Sequence, residues 1–202
     1  MNRLVALAAA LLLTGCGATI TPQGYLAKNN IPDASVKSFP HCRGYGCHIV
    51  EKVRLNDPEW KRISKRFPAK DAASERAAIA TAIADFESIV GPITHTDIAV
   101  AGTYVQPGPY QLDCIDESTN TTIYLMLLQE KGWLKFHEVK APNTRVPFGV
   151  GVFVSHRTAV IEDRATKTQY AVDSWFHDNG TPAEIVPLRL WKQRWHPGDP
   201  VE

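Results

Sequence analysis

One cysteine of this sequence, Cys114, lies where a loop turns into a predicted helix. Glycines and prolines precede it, and Asp113, Asp116 and Glu117 place acid in the first turn, where the helix dipole favours negative charge. A thiol at a helix N-terminus can ionise well below the pKa of about 8.5 of a free cysteine, and the thiolate is a nucleophile. The neighbouring carboxylates act in the opposite direction, so this chemistry requires a cationic partner. The alternative is a buried, inert cysteine on an apolar helix face.

His156 and Asp173 offer that partner and a group to orient it. Residues 155–162 and 168–175 predict the two strands of a hairpin. A hairpin centred between residues 164 and 165 places His156 opposite Asp173, and a register shifted by two residues keeps them on one face within diagonal reach. An Asp that binds one imidazole nitrogen directs the other toward a nucleophile. Together with Cys114, this pattern predicts a nucleophile, its base and the group that orients the base.

The order and spacing of these residues resemble a known family. A Cys that opens a helix, a His on a strand about forty residues later and an Asp on the next strand resemble the transglutaminase-like, papain-related fold. More narrowly, the stretch Asp113–Glu117, the helix exit at Gly132, His156 and the pair Val172–Asp173 look like the bacterial transglutaminase-like cysteine proteinases, over roughly residues 75–176. The signature departs from the family at Ile115, where the family has Glu. Arg157 and Thr158 also separate His156 from the Ala-Val that follows it more closely in the family.

This resemblance implies an α+β fold with a transglutaminase-like (papain-like) core. In that core a catalytic-type cysteine at a helix N-terminus packs on an antiparallel sheet, and the catalytic residues are Cys114, His156 and Asp173. The family's acidic pair is linked to calcium binding, so Asp113, Asp116 and Glu117 are candidate calcium ligands through hard oxygen atoms. Helix capping and dipole complementation are the other interpretation of these acids, and no further cofactor is expected.

The oxyanion of an acyl-transfer reaction needs donors close to Cys114. The backbone amide of Cys114, at the helix N-terminus, is the first candidate. Gln111 is the candidate second donor, with an ordinary polar loop residue as the alternative.

Cys42 and Cys47 lie five residues apart in a loop that contains two glycines. A local disulfide is the main prediction for an oxidising compartment, and it leaves Cys114 as a free thiol. Two alternatives stay open at this point: a metal site, because His41 and His48 flank the cysteines, and a rare variant of the covalent haem motif.

The N-terminus has the layout of a secretory signal, with a basic start, an apolar core at residues 4–13 and small residues at the exit. The sequence that ends in Cys16 also resembles the bacterial lipobox. We therefore expect residues 1–15 to be a lipoprotein signal peptide, with Cys16 as the lipid-modified (palmitate-bearing) N-terminus. Gly17 suggests sorting to the outer membrane. Residues 16–40 are interpreted as a tether, and residues 41–202 as a single domain.

The elements that must position these residues follow from periodicity. The clearest is a helix over residues 71–90, in which Ile79, Ile83, Phe86 and Val90 form one apolar stripe and Gly91–Pro92 ends it. The other predictions are strands at 49–55, 134–139 and 146–154, helices at 57–66 and 114–131, a loop at 142–145, and a C-terminal tail that wraps the domain.

Two classes of function remain. The first is a lipid-anchored periplasmic thiol hydrolase, either a cysteine peptidase or amidase or an acyl transferase, acting on an envelope protein or peptide. The second is a non-catalytic envelope lipoprotein that uses the same fold for binding or assembly. Nucleic acid is not an expected partner, because the formal charge is +1 and no basic run is present. An accessible, low-pKa thiol at Cys114 would distinguish the enzyme.

Overall fold

Helix α4, Cys114–Glu130, lies in the middle of the fold and has Cys114 as its first residue. The structure is a computed structural model that describes residues 20–103, 107–146 and 155–201. Within these ranges the other helices are α1 (Pro22–Lys28), α2 (Asp57–Ser64), α3 (Ala72–Thr94) and α5 (Leu188–Lys192), with a 3-10 turn at Thr96–Ile98. The strands are β1 (Phe39–Arg43), β2 (Ile49–Val53), β3 (His137–Arg145), β4 (His156–Asp163), β5 (Gln169–Asp173) and β6 (Glu184–Pro187).

These strands form two antiparallel sheets. β1 and β2 make a two-stranded ribbon, and β3, β4, β5 and β6 pair in sequence order to make the larger sheet. Helix α4 packs against β3, β4 and β5 of the larger sheet and also against β1. The expected α+β architecture, with a cysteine-bearing helix on an antiparallel sheet, is confirmed at this level.

Each face of the larger sheet is covered by apolar side chains. Ile161 and Val172 join the main core with the helices, where a fully buried large side chain contributes about 1.5–3 kcal/mol. Val160 and Ala171 point to the other face, since successive side chains of a strand alternate. A second cluster forms there with residues that follow β5, namely Val186, Leu188, Trp191 and Trp195. The C-terminal segment therefore covers the far face of the sheet, as the sequence predicted.

The β4–β5 hairpin has a register two residues away from the symmetric one. Ala159 pairs with Val172, and Glu162 pairs with Gln169. His156 therefore lies beyond the last cross-strand pair, diagonal to Asp173 rather than opposite it. The two residues still share a sheet face, so the predicted proximity holds while the predicted pairing is wrong.

The prediction that residues 16–40 form a free tether is wrong for much of that segment. Residues 22–28 form helix α1, which contacts β3, and Leu26 and Ile31 are buried in the main core. Phe39 begins β1 and is also buried. Scattered prolines and glycines interrupt the apolar pattern of this segment, so its buried residues were not predicted. Any tether ends before α1. Residues 1–19, with Cys16 and the predicted signal, lie outside the described part of the chain.

Two predicted element ends are also corrected. Helix α3 continues through Gly91 and Pro92 to Thr94, because Val90 and Thr94 are buried and the left-handed His95 (φ 60°) ends the helix. Gly91 serves close packing instead, since a Cβ there would lie 2.8 Å from Nδ2 of Asn179. Residues 142–145, expected to be a loop, continue β3 after an irregularity in its pairing with β4. The predicted strand at 146–154 lies almost wholly outside the described residues.

Helix α3 is long and apolar enough to cross a membrane by length and composition. Within the domain, however, 61% of its most apolar window is buried, as in the core helix of a folded domain. No other helix in the described ranges meets the same criterion.

Candidate active site

The N-terminus of α4 is built by its own acidic residues. Asp113 is the N-cap, and its Oδ1 accepts hydrogen bonds of 2.9 Å from the backbone N–H groups of both Ile115 and Asp116. The Asp116 carboxylate in turn accepts the N–H of Asp113, which completes a capping box. The N–H of Cys114 is not used by this cap, so it remains directed out of the helix start beside the thiol.

The Cys42–Cys47 disulfide, which the structure confirms, packs its loop on this helix start. The N–H groups of Tyr45 and Cys47 donate to the two oxygens of Asp116 at 2.9 and 2.7 Å. Residues 44–47 all have positive φ, which lets successive N–H groups turn toward one anion. Further along α4, the Asn120 side chain accepts the N–H of Cys42 and donates to the Cys42 carbonyl. The disulfide loop therefore holds the helix turn that carries Cys114.

The three acids proposed as calcium ligands do not form a cation site. Asp113 caps the helix, both oxygens of Asp116 face backbone donors, and Glu117 points to Ser174, whose Oγ–H donates to it at 3.1 Å. Among the described residues only Cys42, Cys47 and Asp116 bring three metal-binding groups together, and the disulfide uses both sulfurs. That also removes the metal and haem alternatives for the Cys42–Cys47 loop. Burial and the charge of Asp113 raise the pKa of Asp116 to about 7, against the hydrogen bonds it accepts.

Cys114 lies against the backbone on both sides of His156. Its Sγ is 3.8 Å from the Ser155 carbonyl oxygen, to which the thiol donates, and the Arg157 backbone amide faces the sulfur. The residue is only 6% exposed. Burial raises the pKa of the Cys114 thiol to about 11, with Asp113 and Asp173 adding to the rise and the Arg157 amide opposing it. The low-pKa thiolate expected from the helix N-terminus is therefore absent, because desolvation outweighs the dipole.

His156 and Asp173 form the contact that the sequence predicted. Nε2 of His156 lies 2.7 Å from Oδ2 of Asp173, and both residues are 2% exposed. The other ring nitrogen, Nδ1, is buried and has no hydrogen-bond partner within the described structure. No hydrogen bond joins it to Cys114 Sγ, which faces Ser155 instead. The imidazole is thus oriented by a carboxylate at one nitrogen and keeps the other available to accept a proton.

Aromatic rings surround this pair. The rings of Trp175, Phe176 and Trp191 have centroids 4.6, 5.3 and 5.5 Å from that of His156. Trp175 is buried in direct contact with the imidazole. The rings keep water from the His156–Asp173 hydrogen bond, which strengthens it.

Gln111, the candidate second oxyanion donor, is engaged elsewhere. Its side-chain amide donates to the Val100 carbonyl at 2.9 Å and accepts the Val100 N–H at 3.0 Å. The backbone carbonyl of Gln111 accepts the N–H of Gly44 from the disulfide loop. Gln111 therefore connects the loops around α4, and its side-chain amide binds the Val100 backbone in this structure, so its role as an oxyanion donor stays a prediction.

Two carboxyl groups, Glu87 on α3 and Glu117 on α4, lie close enough for their charges to interact, and the charge of Asp173 also acts on Glu117. The Gly180 N–H donates to Oε2 of Glu87 at 2.9 Å, while Oε1 is buried without a partner in the described structure. Burial raises the pKa of Glu87 to about 7, against the hydrogen bond that the carboxylate accepts from Gly180. Burial and the Glu87 charge raise the pKa of Glu117 well above its ordinary value. Ionisation of one of these two acids therefore disfavours ionisation of the other. Ser174, the residue that follows Asp173, lies beside them.

We expect Glu87→Gln to stabilise the protein above neutral pH. A carboxyl whose pKa is raised on folding costs nothing below its unfolded pKa of about 4.5, and it destabilises the protein increasingly as the pH rises through about 7. The free energy of unfolding of the variant at pH 8 should exceed the wild-type value by up to about 3 kcal/mol, with little difference at pH 4.5. Urea unfolding at both pH values measures this, with Glu130→Gln on the exposed end of α4 as the control. An equal difference at the two pH values would contradict the assignment.

Three residues near the site, Glu87, Trp191 and Arg145, are not among the predicted site residues. Glu87 is four residues after Ile83 and next to Phe86, so it falls on the apolar face of α3, and a carboxyl there signals a buried acid. The sequence places Trp191 in the C-terminal tail and Arg145 in a predicted loop, and neither position indicates a role in the site. Their contact with the site depends on how the C-terminal segment folds back.

Comparison with protein-family models, curated proteins and solved structures yields no match to this chain.

Proposed function

We propose that this protein is a thiol-dependent acyl-transfer enzyme, a peptidase or amidase or an acyl transferase with a transglutaminase-like arrangement. Its nucleophile is Cys114, its general base is His156, and Asp173 orients the base. The observation that carries the proposal is the buried 2.7 Å His156–Asp173 hydrogen bond, which leaves Nδ1 without a partner in the described structure, on the residue that follows Ser155, whose carbonyl the Cys114 thiol contacts.

The reaction begins from a protonated thiol, because the pKa of Cys114 is about 11. Proton transfer requires the Cys114 side chain to turn away from the Ser155 carbonyl so that its S–H reaches Nδ1 of His156. As the sulfur bonds to the acyl carbon, the thiol proton passes to Nδ1 and the carbonyl oxygen takes the negative charge. The backbone N–H of Cys114 is the donor for that oxyanion.

Collapse of this intermediate breaks the bond to the leaving amine. The Nδ1 proton of His156 moves to the amine nitrogen, and the acyl group stays on Cys114 as a thioester. Water or a second amine then attacks the thioester and gives its proton to Nδ1. The bond between the acyl carbon and the sulfur breaks, and the sulfur takes the Nδ1 proton to regenerate the free thiol. Hydrolysis and transfer differ only in this second nucleophile.

The proposed setting is the bacterial cell envelope. A lipid on Cys16 would anchor the domain to the membrane, with outer-membrane sorting and a periplasmic orientation expected from the sequence around it. The substrate class proposed on this basis is an envelope protein or peptide.

A small acyl donor tests the mechanism. We expect the full chain to react with p-nitrophenyl acetate and to form an acetyl thioester, which peptide mass spectrometry should locate on Cys114. The disulfide blocks Cys42 and Cys47, and mapping separates Cys114 from Cys16. Cys114→Ala should lose the adduct and the associated release of p-nitrophenol. Equal release from the variant, or no acetyl group on Cys114 at any pH up to about 10, would overturn the proposal.

A second candidate function is a non-catalytic binding or assembly module of the envelope. The observation in its favour is the buried Cys114 thiol with its raised pKa, because a binding module has no need of a reactive sulfur. The same experiment separates the two candidates, since the binding module predicts an inert thiol.

A further inference from the structure

One oxygen of Asp173 accepts two hydrogen bonds. Nε2 of His156 and Nε1 of Trp191 each lie 2.7 Å from Oδ2. Trp191 is fully buried on α5, so no water competes for its indole N–H. A carboxylate that accepts a hydrogen bond in a dry environment is both fixed in direction and partly neutralised. The group that orients His156 is therefore itself oriented by Trp191.

Arg145 holds Trp191 in place. Arg145 is the cross-strand partner of His156 in the β3–β4 pairing. Its Nη1 donates to the backbone carbonyls of Trp191 and Trp195 at 2.8 and 2.9 Å, and its guanidinium lies 4.8 Å from the centroid of the Trp191 ring. The Arg145 side chain thus joins β3, the strand paired with β4 beside His156, to the helix that carries Trp191.

We propose that Trp191 is a positioning residue for proton transfer at His156, acting through Asp173 and anchored by Arg145. This inference rests on the proposed acyl transfer and deepens it. The indole N–H takes one lone pair of Oδ2 and shares its negative charge, which leaves the second lone pair directed at Nε2. Without the indole donor the carboxylate carries more charge toward the imidazole and holds its proton more strongly, so His156 becomes a poorer donor to the leaving amine.

Trp191→Phe itself replaces none of the other charged or titratable groups around this unit. Glu117 and Cys114 on α4 both feel the charge of Asp173, and Glu184 on β6 is its cross-strand partner. Arg145 on β3 and Arg157 on β4 are the neighbouring cations. A change in the titration of His156 on removal of the indole donor therefore reports the Trp191–Asp173 bond.

The test is Trp191→Phe in the full chain, with Trp195→Phe as the matched control. Both substitutions keep a ring in the buried C-terminal segment and remove one indole N–H, but that of Trp195 donates to the backbone carbonyl of Asp199 at 3.1 Å. We expect the midpoint of the His156 imidazole titration, followed by NMR, to rise by about one pH unit in Trp191→Phe and to stay unchanged in Trp195→Phe. The acid limb of Cys114 acetylation should move by the same amount.

The titration decides the inference independently of acyl transfer. Equal midpoints in the wild type and Trp191→Phe would overturn it, even if acetylation slowed. A shifted midpoint without any acetylation of Cys114 in the wild type would support the Trp191–Asp173–His156 coupling and refute the proposed function. If Trp191→Phe does not fold, the wild-type chain answers instead: the Trp191 indole N–H resonance should move with the His156 titration and lose that movement in His156→Gln. An indole resonance that ignores pH in the wild type would overturn the inference.

Discussion

His156→Gln should slow acetylation of Cys114 by about 10²- to 10⁴-fold at neutral pH, the range typical of a lost general base. The glutamine amide can still donate to Oδ2 of Asp173, where Nε2 of His156 now lies at 2.7 Å, so the substitution removes the base while the hydrogen bond remains. The remaining reaction depends on spontaneous ionisation of a thiol with a pKa of about 11. The rate for the variant should therefore rise about tenfold per pH unit until the pH approaches that value, whereas the wild type levels off earlier.

His177→Gln is the matched control for this variant. Nε2 of His177 also lies 2.7 Å from a carboxylate oxygen, that of Glu184, but the pair is about one-third exposed. The control loses the same chemical group from an equivalent pair and should acetylate at the wild-type rate. Thermal unfolding of both variants establishes that they are folded. Rate profiles that coincide for His156→Gln and the wild type across the pH range would exclude His156 as the base.

The position of Cys114 at a helix start and the His156–Asp173 contact were both predictable, because each rests on a local pattern. A cap and acidic first turn locate the cysteine at a helix start, and alternating strands around a short turn locate the other two. A two-residue error in register did no harm, because the side-chain period of a strand is two. Local patterns were sufficient for these three positions.

The pKa values in the site could not be predicted from local patterns, because burial is a property of the whole fold. The helix N-terminus predicted a low pKa for Cys114, yet the packed backbone around it raises that pKa. The sequence offers Asp116 as a calcium ligand or a cap, and in the structure its carboxylate also accepts two N–H groups of the disulfide loop. Trp191 reaches Asp173 only because the chain crosses back over the sheet after β6. No spacing along the sequence encodes that return.

Two buried carboxyl groups on α3, those of Glu87 and Glu75, have pKa shifts of opposite sign because their hydrogen-bond partners differ. Glu87 has one backbone donor on Oε2 and none on Oε1, so burial dominates and raises its pKa. Glu75, three turns earlier, is also fully buried but is surrounded by donors. Burial alone would raise the pKa of Glu75, yet hydrogen bonds from the His137 side chain and from three successive backbone N–H groups outweigh it and lower the pKa. One acid therefore destabilises the domain near neutral pH, and the other stabilises it.

Glu75→Gln is expected to cost about 3–5 kcal/mol of unfolding free energy at pH 7, as for a buried charged partner that is removed. The carboxylate accepts the N–H groups of Lys135, Phe136 and His137 at 2.6 to 3.1 Å and Nδ1–H of His137 at 2.9 Å. A glutamine has one acceptor oxygen, so its NH₂ group must face a buried N–H donor and leave it unsatisfied.

The pH dependence of this loss has a definite sign. Since the pKa of Glu75 is lowered on folding, its stabilisation is present above its unfolded pKa of about 4.5 and disappears as the pH falls through the lower folded value. The wild type and Glu75→Gln should therefore differ most at pH 7 and converge under acid. Urea unfolding at pH 7 and at pH 3 measures the difference, and the exposed Glu130→Gln should change stability by no more than about 0.5 kcal/mol. A Glu75→Gln loss at pH 7 no larger than that of Glu130→Gln would show that the carboxylate does not hold the start of β3 to helix α3.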